Sequence, residues 1–127
     1  MLRELDSCIK AGSFKYLASH VGNCEIPEIL YVVFEQPMQC LKIRLLASRS
    51  GENFPHDQIL KIGSCIAGAL RHLSSLKIMH NCICARSIGL NNDWTPKLMG
   101  HGELNLKLKL KIFSKKKFLN KVFNIFL

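Results

Sequence analysis

The apolar positions change period several times along the chain, and each change marks an element. Leu2, Leu5 and Ile9 recur at helical spacing and Gly12 follows where a helix would stop, so residues 2 to 10 read as the end of a helix. From Phe14 to Val21 and from Ile29 to Phe34 the chain turns β-branched and aromatic, with turn-forming residues from Gly22 to Glu28 between the runs. This predicts two strands joined by a short loop. Leu30 to Phe34 is apolar without alternation, as in a strand covered on both faces, and Pro37 then blocks further ladder pairing. Cys40 to Ser48 reads as a short helix, and Gly51 to Pro55 as the loop after it. The strongest periodicity follows: Ile59, Ile62, Ile66, Ala69, Leu70 and Leu73 recur at steps of three and four. Pro55 suits the first turn of that helix, which ends near Ser74 and Ser75, and its apolar stripe is expected in the core. Beyond it come short pieces only: Ile78 and Met79, a polar loop, a strand at Ile88 to Leu90, a turn at Asn91 to Asp93, and Pro96 to Met99. There is no internal repeat.

Composition bounds the fold class. A chain of 127 residues allows one domain. A mean hydropathy of +0.12 with 21% charged residues excludes full disorder, because enough apolar surface exists to offset part of the ordering entropy. No stretch reaches the ~20 consecutive apolar residues that span a bilayer, and the first residues lack the order of a secretion signal. The expected compartment is cytoplasmic. Six cysteines, Cys8, Cys24, Cys40, Cys65, Cys82 and Cys84, are scattered through hydrophobic segments and read mostly as small buried apolar residues.

The net charge of +9 is uneven. Residues 1 to 102 hold 11 basic and 8 acidic residues, whereas residues 103 to 127 hold seven lysines and one glutamate. A composition break falls at the same place, where the chain becomes Lys, Leu, Asn, Phe and Ile. Residues 105 to 112 alternate strictly and predict a strand with one apolar and one cationic face. Phe118, Val122 and Ile125 then share a helical face, with Leu119 and Phe126 beside it. Clustered lysines with interleaved Phe and Leu would suit an anionic membrane or nucleic acid; a solvated tail is the plainer expectation.

One order of residues carries chemistry. A helix ends in Leu73, Leu76, Ile78, Met79 and His80; a short strand follows eight residues after His80, then a turn and Pro96-Lys97-Leu98-Met99-Gly100-His101-Gly102. This order resembles the catalytic-loop region of a protein kinase, which reads His-Arg-Asp, four residues, Asn, a strand and turn, then Lys-Leu and Asp-Phe-Gly. The resemblance extends backwards over roughly residues 1 to 102. The strand at 30 to 34 looks like the one entering the hinge, with Phe34 in the gatekeeper place and Glu35, Gln36 and Met38 in the hinge. Glu4 lies near the αC glutamate. Cys84-Ala85-Arg86 resembles the Ala-Ala-Arg of receptor-type tyrosine kinases, and residues 80 to 86 are also similar to the pseudokinase domains of the Janus kinases. The implied fold is α+β, a partial protein kinase-like fold: the end of αC, two small-lobe strands, hinge, αD and αE helices and the catalytic-loop region, mainly helical in its large-lobe part.

The same resemblance implies lost chemistry. Phosphoryl transfer depends on positioning and charge neutralisation. Cys82 stands where an aspartate would accept the substrate proton, and a thiol of pKa near ~8.5 is a poor substitute. Ser87 stands for the asparagine, and Gly100 for the aspartate, that would hold magnesium. Asn81 replaces the arginine that would grip a phosphorylated activation loop. His80 and His101 fall where the family builds its hydrophobic spine. A chain starting near αC would hold neither the Gly-rich loop nor the lysine strand, no Ala-Pro-Glu follows Gly102, and the basic tail resembles translated non-coding sequence of a truncated product.

The expectation is a catalytically inactive kinase-like fragment without cofactor, whose role is contact with another kinase or signalling protein. The alternative is a tyrosine kinase-like gene product that retains ATP binding or weak phosphotransfer in its full-length form. His80, Cys82, Cys84 and His101 could be grouped as a metal set, but Cys-x-Cys lacks the usual second pair at zinc spacing. No metal is expected. A Cys82/His80 nucleophile is set aside because the resemblance turns this histidine toward the spine.

Overall fold

The computed structural model describes residues 2–26, 29–49, 54–100 and 111–114, with residues 2–5, 8, 26, 29–30 and 111–114 described as backbone. Among the described residues, three helices and six strands succeed one another as α1 (Leu2–Ala11), β1 (His20–Ile26), β2 (Ile29–Phe34), β3 (Gln39–Cys40), α2 (Leu41–Arg49), α3 (His56–Ser75), β4 (Ile88–Leu90), β5 (Pro96–Leu98) and β6 (Lys111–Ser114). The class is α+β.

α1 ends where its sequence predicts. Gly12 takes φ +63°, a left-handed conformation that glycine adopts without a Cβ penalty, and its N–H closes on the Ile9 carbonyl at 3.1 Å. The helix end docks on α3, where His72 Nε2 lies 3.0 Å from the Ala11 carbonyl and the His72 ring stacks on Phe14 at 4.4 Å.

The two strands expected at 14–21 and 29–34 are displaced in one case and confirmed in the other. β1 runs through Gly22 to Glu25, residues that read as loop, and pairs antiparallel with β2 with a bulge near His20 and Gly22. The reason is position: β1 lies at the edge of a sheet ordered β1-β2-β6, so Asn23 and Glu25 reach solvent from a strand buried on one side only. Phe14 to Ser19 forms no long strand. Leu17 makes a single bridge to Leu98, flanked by Ala18 N–H to the Leu98 carbonyl and Leu98 N–H to the Tyr16 carbonyl. β2 is central, with Tyr31, Val32 and Val33 all buried, in agreement with its unbroken apolar run. Its other edge carries β6 in parallel. The strand expected over 105–112 is thus described only from Lys111, and the helical face expected at 118–126 lies outside the described residues.

The second sheet, β3-β4-β5, is antiparallel throughout. α3 lays Ile62, Ile66, Ala69 and Leu73 into a core shared with Leu17, Leu41, Ile78, Ile88, Leu90 and Leu98. Burying each of the larger side chains contributes about 1.5–3 kcal/mol. Pro55 caps the helix N-terminus with φ −61°, and the last turn closes through Lys77 at φ +58° while Ile78 N–H reaches the Leu73 carbonyl at 2.9 Å. One stripe position departs from expectation: Ile59 is 49% exposed, because the buried face of α3 begins only at Ile62.

The cysteines also depart from it. Cys24, Cys40 and Cys65 are half-buried, while Cys82 and Cys84 are exposed, and all five are free thiols. Cys82 and Cys84 sit on the loop after α3, where burial has no claim on them.

Candidate functional site

The loop from His80 to Ser87 joins α3 to β4 and is pinned at both ends. His80 Nε2 lies 2.8 Å from the Met99 carbonyl, which can only accept, so Nε2 carries the proton. Nδ1 is then free to accept, and Cys82 N–H approaches it at 3.4 Å. At the far end the Ala85 carbonyl accepts from Lys42 N–H at 3.0 Å and from the Cys40 thiol at 3.3 Å, tying the loop to the start of α2.

Ser87 closes the loop on itself. Its hydroxyl accepts from Cys84 N–H at 3.0 Å and donates to the Cys84 carbonyl at 2.9 Å, while its carbonyl accepts from Met99 N–H at 2.7 Å. The hydroxyl proton and one lone pair are therefore spent on the turn. Cys82 projects into solvent. Gly100 follows Met99 with φ +80°, in the left-handed region.

The residues expected from the sequence at gatekeeper and hinge places lie beside this loop's neighbours rather than on the loop itself. Phe34 ends β2, half-buried, edge-on to the His20 ring at 5.9 Å. Glu35 N–H donates to the Ser19 carbonyl at 2.8 Å, and Glu35 Oε2 accepts from Lys97 Nζ at 3.0 Å. Gln36 is exposed, as is Met38. Between them Pro37 is buried with its ring against Gly89; a Cβ on Gly89 would fall 2.3 Å from the ring's Cγ. His101 and the Glu4 side chain lie outside the described residues. A shallow cavity of about 210 Å³ opens between Met38, Arg44, Asn92 and Trp94. That volume is below the ~300–1,000 Å³ common for small-molecule sites.

Three relationships escaped the sequence pattern: Glu35 with Lys97, Pro37 with Gly89, and the Ser87 closure. The first two join positions far apart in the chain, which no local period reports. The third had a signal, since a serine three residues after a loop residue commonly bonds back to it.

Among the described residues, no group of three His, Cys, Asp or Glu side chains is placed to hold a metal ion, and no helix is long and apolar enough to cross a membrane.

No protein-family model matches the chain. It is 28% identical over 110 residues to a Drosophila melanogaster protein named "Putative inactive tyrosine-protein kinase Wsck", an alignment that covers 82% of this chain. The match spans 14% of that protein's length. The similarity supports a kinase-like relationship at the level of the broad family.

Proposed function

We propose that this chain is a catalytically inactive, kinase-like module of the tyrosine-kinase group that acts by protein contact, with another kinase or signalling protein as its partner. The observation that carries the reading is the state of Ser87. In the kinase frame this position supplies a magnesium ligand; here its hydroxyl is consumed by the Cys84 backbone. Gly100, at the second metal position, has no side chain to offer. Cys82, at the proton-accepting position, offers a thiol in place of the carboxylate. Without these groups nothing neutralises the charge of a transferring phosphoryl group, which is the main protein contribution to such a reaction. The name of the Drosophila relative, which calls that protein inactive, agrees with this reading. Ile43, Leu46 and Leu60 are exposed on α2 and α3 and give a contact module apolar surface to use.

The test is thermal unfolding of the chain with ATP titrated in the presence and absence of magnesium. No metal-dependent shift is expected. Saturable stabilisation that requires magnesium would overturn the reading, because a ligand that binds the folded state alone must raise its stability.

A further inference from the structure

We propose that the cavity between the start of α2 and the turn joining β4 to β5 is a docking subsite for a carboxylate side chain of a partner protein, gripped by Arg44 on the face of Trp94. Among the described residues that line it, Arg44 carries the only charge, and the remaining polar side chains are the amides of Gln39, Asn91 and Asn92. A guanidinium offers a planar fork of donors that matches a carboxylate, and amides add neutral donors beside it. A cation would meet repulsion there. One guanidinium balances the single charge of a carboxylate, whereas a phosphate dianion would leave a charge over. With a volume of about 210 Å³ the cavity falls short of the ~300–1,000 Å³ common for free ligands, so it suits one side chain of a larger molecule.

The turn holds the ring in place. Trp94 takes φ +63°, which a bulky side chain seldom adopts, and its N–H closes on the Asn91 carbonyl at 3.0 Å while Asn91 N–H reaches the Thr95 carbonyl at 3.1 Å. Asp93 accepts from Thr95 N–H at 3.0 Å and from the Thr95 hydroxyl at 2.7 Å. The acid nearest in sequence is thus committed to the turn and lies outside the cavity lining. Phe54 braces the Trp94 ring edge-on at 5.3 Å, and the Arg44 guanidinium carbon stands 4.9 Å from the ring centroid. Contact with a ring uses the charge and flat face of a guanidinium rather than its N–H donors, so it orders the long side chain and lowers the entropy lost on binding. Met38 stands exposed at the rim. α2 carries Lys42, Arg44 and Arg49 and no acid, and Ile43 and Leu46 are exposed on it. An acidic residue flanked by apolar ones complements both features. The inference rests on the protein-contact part of the proposed function, to which it adds the chemistry of the partner, and it uses no nucleotide and no metal.

Trp94 is the only tryptophan of the chain, so its emission reports on the cavity directly. The experiment titrates the full chain with a capped Leu-Glu-Leu peptide, its Leu-Gln-Leu counterpart, propionate as the same carboxylate without a peptide, and phosphatidylserine vesicles. Leu-Glu-Leu should shift Trp94 emission saturably in the millimolar range, bind at least ~10-fold tighter than Leu-Gln-Leu, and weaken with added salt. Arg44→Gln should abolish the preference for Glu, and Arg44→Lys, which keeps the charge and loses the fork, should bind several-fold more weakly than the parent. Asn92→Ala, at an exposed position, should weaken binding with thermal unfolding unchanged, which keeps the test open if the Arg44 variants fold poorly. Equal binding of the two peptides, parent-like binding by Arg44→Gln or Asn92→Ala, propionate as tight as the peptide, or a Trp94 response to vesicles alone would each overturn the proposal. Those outcomes leave the protein-contact reading standing through other faces, whereas magnesium-dependent stabilisation by ATP would overturn that reading and leave the subsite in place.

Discussion

Lys97 Nζ sits 3.0 Å from Glu35 Oε2, joining β5 to the residue that follows β2 and so linking the two described sheets through an ion pair. The lysine is 13% exposed and the glutamate 37%, so solvent screens the pair from one side only. Glu35 is held on its other flank by Ser19, whose N–H approaches the same oxygen at 3.4 Å. Lys97→Met should lower stability by about 1 kcal/mol, within the range of a charge-assisted hydrogen bond discounted for exposure. Urea unfolding measures it. A variant as stable as the parent would show that the pair links the sheets without stabilising them.

The core and the exposed end of α3 give a contrasting pair of substitutions. Leu17 is fully buried at 0% exposure, whereas Ile59 is 49% exposed. Leu17→Ala should cost about 2–5 kcal/mol through lost burial and a residual cavity. Ile59→Ser should change stability by less than about 0.5 kcal/mol. Denaturant melts of the two variants check both values, and a large loss in the Ile59 variant would put that side chain back in the core.

The Pro37–Gly89 contact predicts a substitution that is harmful although alanine is small. A Cβ at position 89 meets ring atoms of Pro37 at 2.3 and 2.4 Å, and a proline ring cannot swing aside. Gly89→Ala should destabilise by about 1–3 kcal/mol, as other overpacked sites do. Adding Pro37→Gly should recover part of that loss. Independent, additive effects of the two changes would contradict the contact.

The parts legible in the sequence were those with a local period. β2 and α3 each announce themselves by an apolar pattern, and the Pro55 and Gly12 boundaries follow from backbone chemistry at single residues. β1 falls outside the strand that the sequence predicts because Gly22, Asn23 and Glu25 carry turn propensity, and an edge strand facing solvent tolerates them. Ile59 lies on the predicted stripe yet is exposed, because periodicity marks a helix face without marking where the neighbour begins. The cysteines are less buried than the expectation for most of them, with Cys24, Cys40 and Cys65 half-buried and Cys82 and Cys84 exposed, because an average preference for burial does not say where an element meets the core. Within the candidate site, residue types at Cys82, Ser87 and Gly100 were readable, but not the hydrogen bonds that occupy Ser87.

The basic tail supplies a separate prediction from charge alone. Seven lysines lie in residues 103 to 127. If they contact anionic lipid, each lysine neutralised to Gln should weaken binding by about 1 kcal/mol, and added salt should weaken it further. Sedimentation with phosphatidylserine vesicles, comparing the chain with a Lys115, Lys116, Lys117 and Lys121 to Gln variant, measures this while leaving β6 intact. Equal binding by the two chains would remove the lysines from any surface role, and binding that persists at high salt would assign it to Phe118, Val122, Ile125 and Phe126 instead.

The central claim, that a kinase-like frame here performs no phosphoryl transfer, is tested most directly by incubating the purified chain with radiolabelled ATP, magnesium and a generic tyrosine substrate. Label in the substrate and in the chain itself should equal that of a control without protein. Incorporation that rises in proportion to protein concentration and disappears on heat denaturation would contradict the account, since Cys82, Ser87 and Gly100 would then be supporting chemistry for which they have no suitable group.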